Sequence, residues 1–401
     1  MIAQRLNGEV LSAVKKQPFG IKAPTVKFYQ GNAFDELKSL VQSLCPYGKV
    51  AFITTLKSNL SYCTKIAKTL KSVNASLCTF VLEDSTLSVE NLSQLFTMPD
   101  DVRLVLTTDV ELVGHALYFA NLKNLPVLVI PNTLTPKGVL DNVLYVRSGD
   151  NIDLVNVKVD RHIIIDKEFM GDDLYKPFSY IMSKLVSLID YRINRALLSL
   201  SPVKKAFDMV KNSVLSTQNV IKLDRQSQKD VLIYNAFEIE IASMLSKGEI
   251  TSYSAESVAQ SIENDQFNDS LALYLALKII KIYDLAFSFD LEFTALTNAN
   301  AIASSLQEKT KIKDEYYLKN IILQVKSIDK KGDEIKKLLT SLAPEIKSFI
   351  KFSKKIEETF ISLGGNMDDF DASYSLSHAG DYFVGANGMT VLREAGLIKP
   401  L

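Results

Sequence analysis

The chain has 401 residues, long enough for two hydrophobic cores, and its 47% hydrophobic and 23% charged residues are ordinary globular composition. Its 46 basic and 46 acidic side chains cancel to a formal net charge of zero, which leaves no electrostatic footprint for nucleic acid or an anionic membrane. No stretch approaches the ~20 apolar residues that span a bilayer, and the opening MIAQRLNGEV has no apolar signal core. With three widely spaced cysteines (Cys45, Cys63, Cys78), the expectation is a reduced, cytoplasmic protein.

Residues 1–20 read as irregular, with Pro18-Phe19-Gly20 as a turn. Alternation over 25–29 predicts a short strand, and an amphipathic helix over 34–44 follows Gly31-Asn32-Ala33. KVAFIT (49–54) predicts a buried strand, after which Ser58 or Asn59 caps a helix reaching residue 72. Residues 77–82 are the next strand, and Ser88, with Glu90 and Asn91 behind it, opens a helix ending near residue 96.

Residues 102–136 carry the clearest unit. An apolar run (102–106) breaks at Thr107-Thr108-Asp109, a helix-period segment follows, and a second apolar run (127–130) stops at Pro131. That is the pattern of a strand, a crossover helix and a parallel neighbour. The order strand–helix repeated through this region predicts an α/β domain with an open, mostly parallel, Rossmann-like sheet and helices on both faces. Ligands of such sheets sit past the carboxyl ends of the strands, so the candidate binding residues here are Thr107, Thr108, Asp109, Asn132 and Thr133. The bland reading of Thr107–Asp109 is a helix N-cap, because Thr and Asp accept bonds from the free N–H groups of a first turn.

Residues 142–147 and 154–159 flank Ser148-Gly149-Asp150-Asn151 and predict a hairpin, and 163–165 close the strand-rich half with Asp166 at the end. Beyond about residue 170 the apolar spacing is helical throughout, with helices expected over 174–198, 203–216, 229–247, 255–263, 270–286, 291–308, 316–325, 334–342 and 345–363, and a short last piece ending near Gly396. The expected domains are therefore an α/β nucleotide-binding-like domain, 1–170, and an all-helical C-terminal domain, 171–401.

Several strings in this order resemble the superfamily of dehydroquinate synthase, the iron-containing alcohol dehydrogenases and the glycerol and sn-glycerol-1-phosphate dehydrogenases. VLTTDVELVGHALYFANLKNLPVLVIPNT (105–133) is similar to the family's glycine-rich loop, helix and following strand, with Pro126 and Pro131 in register. RHIIID (161–166) resembles the strand before the helical domain, and KPFSYIMSKLVSLIDYRI (176–193) the first long helix, with Lys184 and Asp190-Tyr191 matching. NGMTVLREAGLI (387–398) resembles the terminus of the sn-glycerol-1-phosphate dehydrogenases through Thr390-Val391-Leu392. The resemblance implies a dehydroquinate synthase-like fold, an NAD(P) cofactor, and a Zn²⁺ or Fe²⁺ ion held by an aspartate and two histidines of the helical domain, the ion acting as a Lewis acid on the substrate oxygen.

The departures from that pattern carry the functional expectation. The family's glycine turn lets backbone approach a pyrophosphate, whereas Thr107-Thr108-Asp109-Val110 stand here with side chains and a carboxylate. The chain has 16 glycines, no two separated by a single residue, so no GxGxxG string or P-loop exists. The metal-binding aspartate position is Tyr180, a cleft candidate on this alignment. There are three histidines, His115, His162 and His378, and none lies between the last two, where both ligands belong. Asp269, Asp284, Glu292 and Asp314 are the carboxylates left for a hard cation, with solvated helix acids the commoner role.

Three readings follow. The first is a pseudoenzyme without NAD(P)- and metal-dependent dehydrogenase activity, with no catalytic or metal residues and no cofactor, surviving as a homo-oligomer or as a subunit of a larger assembly. The second is a small-molecule-binding protein. The third, the alternative, is an active NAD(P)-dependent polyol-phosphate oxidoreductase with an altered site that still uses Zn or Fe.

Overall fold

The computed structural model describes residues 24–29, 31, 33–56, 60–149, 151–246, 248–251, 269–287, 289, 291–293, 315–367 and 386–397. The chain divides into two compact units, Met1–Asp172 and Asp173–Leu401.

The first unit is built on six strands: β1 (Thr25–Tyr29), β2 (Lys49–Thr55), β3 (Ser76–Leu82), β4 (Val102–Thr107), β5 (Val127–Val129) and β8 (Arg161–Asp166), in the order β1-β8-β5-β4-β2-β3 and parallel throughout. Helices α1 (Ala33–Leu44), α2 (Leu60–Ser72), α3 (Val89–Leu95) and α4 (Val113–Lys123) connect the successive strands. Parallel strands need such crossovers, and the crossovers cover the sheet, so its strands read as near-continuous apolar runs. On one face Leu37 and Val41 of α1 and Ile66 and Leu70 of α2 pack against Val50, Phe52, Leu104 and Leu128. The alternate residues Ala51, Ile53, Val105, Val129 and Ile163 are buried as well, so both faces are dry.

The remaining strands, β6 (Val143–Ser148) and β7 (Asn151–Asn156), form the expected antiparallel hairpin, with Gly149 at φ +57° in its turn. The strand that closes the strand-rich half in chain order, β8, ends at Asp166 as expected, and it lies inside the sheet between β1 and β5. Gly48 opens β2 at φ +96°, where a Cβ would lie 2.4 Å from the Asp101 carbonyl oxygen. Ser88 caps α3 through the Asn91 N–H, as its sequence indicates. The Ser58 or Asn59 cap lies outside the described residues.

His115 of α4 is fully buried, with Nε2 3.0 Å from the Thr86 carbonyl oxygen, so Nε2 carries the proton. Burial pushes its pKa from 6.5 down to about 4, against the opposing pull of the Thr86 carbonyl and Asp84.

The second unit is helical in all its described elements longer than a turn: α5 (Tyr175–Leu197), α6 (Lys204–Thr217), α7 (Arg225–Leu245), α8 (Asp269–Ala286), α9 (Glu315–Lys330), α10 (Gly332–Ser362) and α11 (Gly388–Glu394). Every residue of α5 from Pro177 to Tyr191 is buried, the mark of a helix enclosed on all sides. Helices α6, α7, α8, α9, α10 and α11 all pack on it. The helices expected over 255–263 and 291–308 fall outside the described residues, apart from irregular backbone at 291–293. Asp224 begins α7 four residues earlier than the apolar pattern indicates, accepting bonds from the Gln226 and Ser227 N–H groups at 3.1 Å.

The two helices expected over 334–342 and 345–363 are one. Pro344 sits inside α10, on its exposed side, while Leu342, Ile346 and Phe349 on the other face stay buried. Anchoring on both sides of the proline outweighs the lost backbone bond to residue 340. Among the described residues no helix is long and apolar enough to cross a membrane.

Two stability effects follow. Since the folded state holds His115 neutral, its contribution is complete above pH 6.5 and is lost as the pH falls from 6.5 toward 4, where the unfolded chain binds the extra proton. The linkage amounts to about 3 kcal/mol, and in a pH series of denaturant unfolding the variant His115→Gln should flatten that acid limb. Pro344→Ala should stabilise the protein by roughly 1–3 kcal/mol in the same assay at neutral pH.

Candidate functional site

Strands β2 and β4 lie side by side, yet their onward connections run opposite ways, to β3 on one side and β5 on the other. This is the topological switch point at which parallel sheets open a crevice beyond the carboxyl ends of their strands. The turn after β4 crosses it and carries Thr107, Thr108 and Asp109, all buried.

Asp109 fills the crevice from within. Its Oδ2 accepts from the Thr54 hydroxyl at 3.2 Å and the Thr55 N–H at 3.3 Å, and its Oδ1 accepts from Asn132 Nδ2 at 2.8 Å. The Thr107 hydroxyl accepts from the Asp109 N–H at 3.3 Å. Main-chain bonds from the Ile130 N–H to the Thr107 carbonyl (3.0 Å) and from the Asn132 N–H to the Thr108 carbonyl (3.1 Å) close the same turn onto the end of β5. Four of the sequence candidates are thus brought together. Thr133 is nearby in the chain, with its hydroxyl on the Thr135 carbonyl at 3.3 Å.

The helix-cap reading of Thr107–Asp109 is corrected in part. Asp109 precedes the 3₁₀ turn Val110–Leu112 with an extended backbone, but its side chain makes no capping bond. Two donors from β2 and one from the segment after β5 hold the carboxylate, and Leu112, which precedes α4, has no side chain able to cap.

A second carboxylate occupies the same edge of the sheet. Asp166, at the end of β8, accepts from the N–H groups of Gly31 (2.8 Å), Ala33 (2.8 Å) and Glu168 (3.0 Å), and so ties down the start of α1. The Gly31 backbone is left-handed, at φ +86°. Beside β1, Glu36 accepts from Lys27 Nζ at 2.5 Å and from the Tyr29 hydroxyl at 2.6 Å. Burial pushes the Glu36 carboxyl up, but these two donors and the Lys27 charge outweigh it and hold it below the usual range; burial and the Glu36 bond push Tyr29 up.

The remaining candidate, Tyr180, belongs to the helical unit. It is fully buried in α5, and its hydroxyl donates a short hydrogen bond to Glu240 of α7. Lys184, one turn on and also fully buried, sets its ammonium 4.4 Å from the Tyr180 ring centre. Further along α5, Asp190 accepts from the Tyr283 hydroxyl at 2.6 Å and the Gly388 N–H at 3.0 Å, and Asn194 donates to Gln324 and to the Ala386 carbonyl, each at 2.9 Å. Burial, then the Asp190 charge, push the Tyr283 hydroxyl well above its ordinary range. These bonds pin α11, itself closed by an Asn387–Thr390 capping box, onto α5.

The residues present do not fit the groups that the sequence resemblance implies. A pyrophosphate at the β4–α4 turn needs backbone N–H groups without a Cβ in the way, and meets instead a fixed carboxylate whose neighbouring donors are already engaged. A divalent cation at Tyr180 meets its hydroxyl, the Glu240 carboxylate and the Lys184 ammonium, which repels it. Among the described residues no three His, Cys, Asp or Glu side chains come together as a metal-binding group. The backbone positions of Asp269 and Asp284 lie at opposite ends of α8, about 22 Å apart. Asp314 and His378 lie outside the described residues.

Sequence reasoning missed Thr54, Thr55 and Glu240. The paired threonines ending an apolar strand were a signal, but only the order of the strands puts them beside Asp109. Glu240 stood out as an acid inside the apolar run FEIEIA, although its partner on α5 could not be read.

No family model matches the chain, and no curated protein matches it significantly by sequence. Solved structures do. Sulfoacetaldehyde reductase from Bifidobacterium kashiwanohense, solved in complex with NAD⁺, aligns over 95% of this chain and 97% of its own, with a TM-score of 0.56 and 8% identity. The iron-containing alcohol dehydrogenase from Corynebacterium glutamicum aligns over 93% of each chain (TM-score 0.52, 12% identity). That from Thermotoga maritima aligns over 93% of this chain and 96% of its own (TM-score 0.51, 12% identity). A parallel six-stranded sheet followed by a helical unit, in a chain that aligns along nearly its whole length with these proteins, is the iron-containing alcohol dehydrogenase, or dehydroquinate synthase-like, fold.

Proposed function

We propose that this chain is a pseudoenzyme on the scaffold of the iron-containing alcohol and glycerol dehydrogenases, acting as a binding or assembly protein without NAD(P)- or metal-dependent hydride transfer. The observation that carries the reading is Asp109. At the switch-point crevice, where an anionic cofactor would need unoccupied donors, a buried carboxylate already takes the Thr54 hydroxyl, the Thr55 N–H and the Asn132 amide. A dinucleotide would have to displace an anion covalently fixed to the chain, and its two phosphates would meet that charge at short range, in a site too buried for water to screen it well. In the helical unit the group of Tyr180, Lys184 and Glu240 supports the same reading, because the Lys184 ammonium is a cation that is already part of the protein. The free thiols Cys45, Cys63 and Cys78 agree with work in a reducing compartment such as the cytoplasm.

A structural use of Asp109 predicts that Asp109→Ala lowers unfolding stability by about 1–3 kcal/mol, because it removes the carboxylate that accepts from the Thr54 hydroxyl, the Thr55 N–H and the Asn132 amide. Chemical denaturation measures it directly. For the functional reading, thermal unfolding should be recorded with NAD⁺, NADH, NADP⁺ and NADPH up to millimolar concentration. A ligand at a hundredfold its Kd would add about 2.7 kcal/mol and a clear rise in Tm. No shift is expected, nor stoichiometric zinc or iron by elemental analysis. A saturating rise with any of the four, together with nucleotide reduction in the presence of a polyol phosphate, would establish the oxidoreductase instead.

A further inference from the structure

Among the described residues the six-stranded sheet ends in β1 on one side and β3 on the other. An outer row of unpaired N–H and C=O groups templates pairing with another chain, and proteins blunt it with charge, proline or brevity. β1 is blunted in all three ways: it has five residues, follows Pro24, and carries Lys27, which is ion-paired to Glu36 at 2.5 Å. β3 is not. Its seven residues, SLCTFVL, include no charge, proline or glycine, and favour extended structure. Thr79 is exposed and Val81 is 46% exposed. Among the described residues no strand and no backbone group pairs with its outer rim.

We propose that the β3 rim is the docking surface for a second copy of this chain, whose own β3 adds antiparallel about a twofold axis near Thr79 and joins the two sheets into one. Charge selects this occupant and this direction. Exposed Lys71 ends α2 just before β3, while exposed Glu83 and Asp84 follow it. An antiparallel mate brings the acids of each copy toward the lysine of the other, whereas a parallel one sets like against like. The twofold pairing is also closed, so the β3 rims of both copies are covered at once and no further copy can add there. The proposal does not depend on whether the carboxyl edge of the sheet binds a ligand.

The test is the mass of the full chain in solution, by light scattering and sedimentation from low to high micromolar concentration. Twice 44.7 kDa is expected. Thr79→Lys or Val81→Lys, both at exposed positions, should weaken the dimer roughly tenfold or more, with the circular dichroism spectrum of the folded protein unchanged. Thr79→Cys should form a disulfide-linked dimer on oxidation that reducing agent reverses, and this arm decides if the lysine variants fail to fold. A wild-type monomer at every concentration overturns the proposal. So does a dimer indifferent to both lysines, or a Thr79→Cys chain that does not cross-link.

Discussion

A single buried carboxylate sets the character of the α/β unit. Asp109 leaves the end of β4 and collects donors from the end of β2 and from the segment after β5, so it joins the carboxyl ends of three strands at the point where the connectivity of the sheet reverses. A carboxylate buried to this degree is tolerable only when its oxygens are hydrogen-bonded, and here both oxygens are. The arrangement places a side-chain carboxylate at the part of the sheet beyond the carboxyl ends of its strands.

The same logic recurs at Asp166 and in the helical unit. Asp166 satisfies two N–H groups at the start of α1 and that of Glu168 just beyond its own strand, Asp190 receives the Tyr283 hydroxyl and the Gly388 N–H, and Tyr180 and Glu240 pair beside the Lys184 ammonium. In each case polar groups on an otherwise apolar element are used to hold backbone or a neighbouring helix. Helix α5 shows why this is needed: enclosed on all sides, it can keep polar side chains only where other helices bring partners to them.

The fold-mates at 8–12% identity share the layout of a parallel sheet and a helical unit, and this is the level at which the physics of layers operates. Function resides in particular side chains placed on such layouts. A likeness of this kind therefore leaves the chemistry to be argued from Asp109, Tyr180 and their partners.

Much of the α/β unit was legible along the chain. Apolar runs bounded by turn residues marked its strands, the helical period marked the crossovers, and Ser88 with its following acid and amide marked a helix start, because period and capping are local properties. The crevice residues Thr107–Asp109 and Asn132 were legible for the same reason: they interrupt those runs at the ends of strands. What local pattern could not supply was adjacency. Only the folded sheet puts Thr54 and Thr55 of β2 beside Asp109 and inserts β8 between β1 and β5. Only helix packing sets Glu240 against Tyr180 and carries α10 unbroken through Pro344. Those outcomes rest on contacts between residues tens of positions apart, whose free energies exceed the local preferences that sequence reading can weigh.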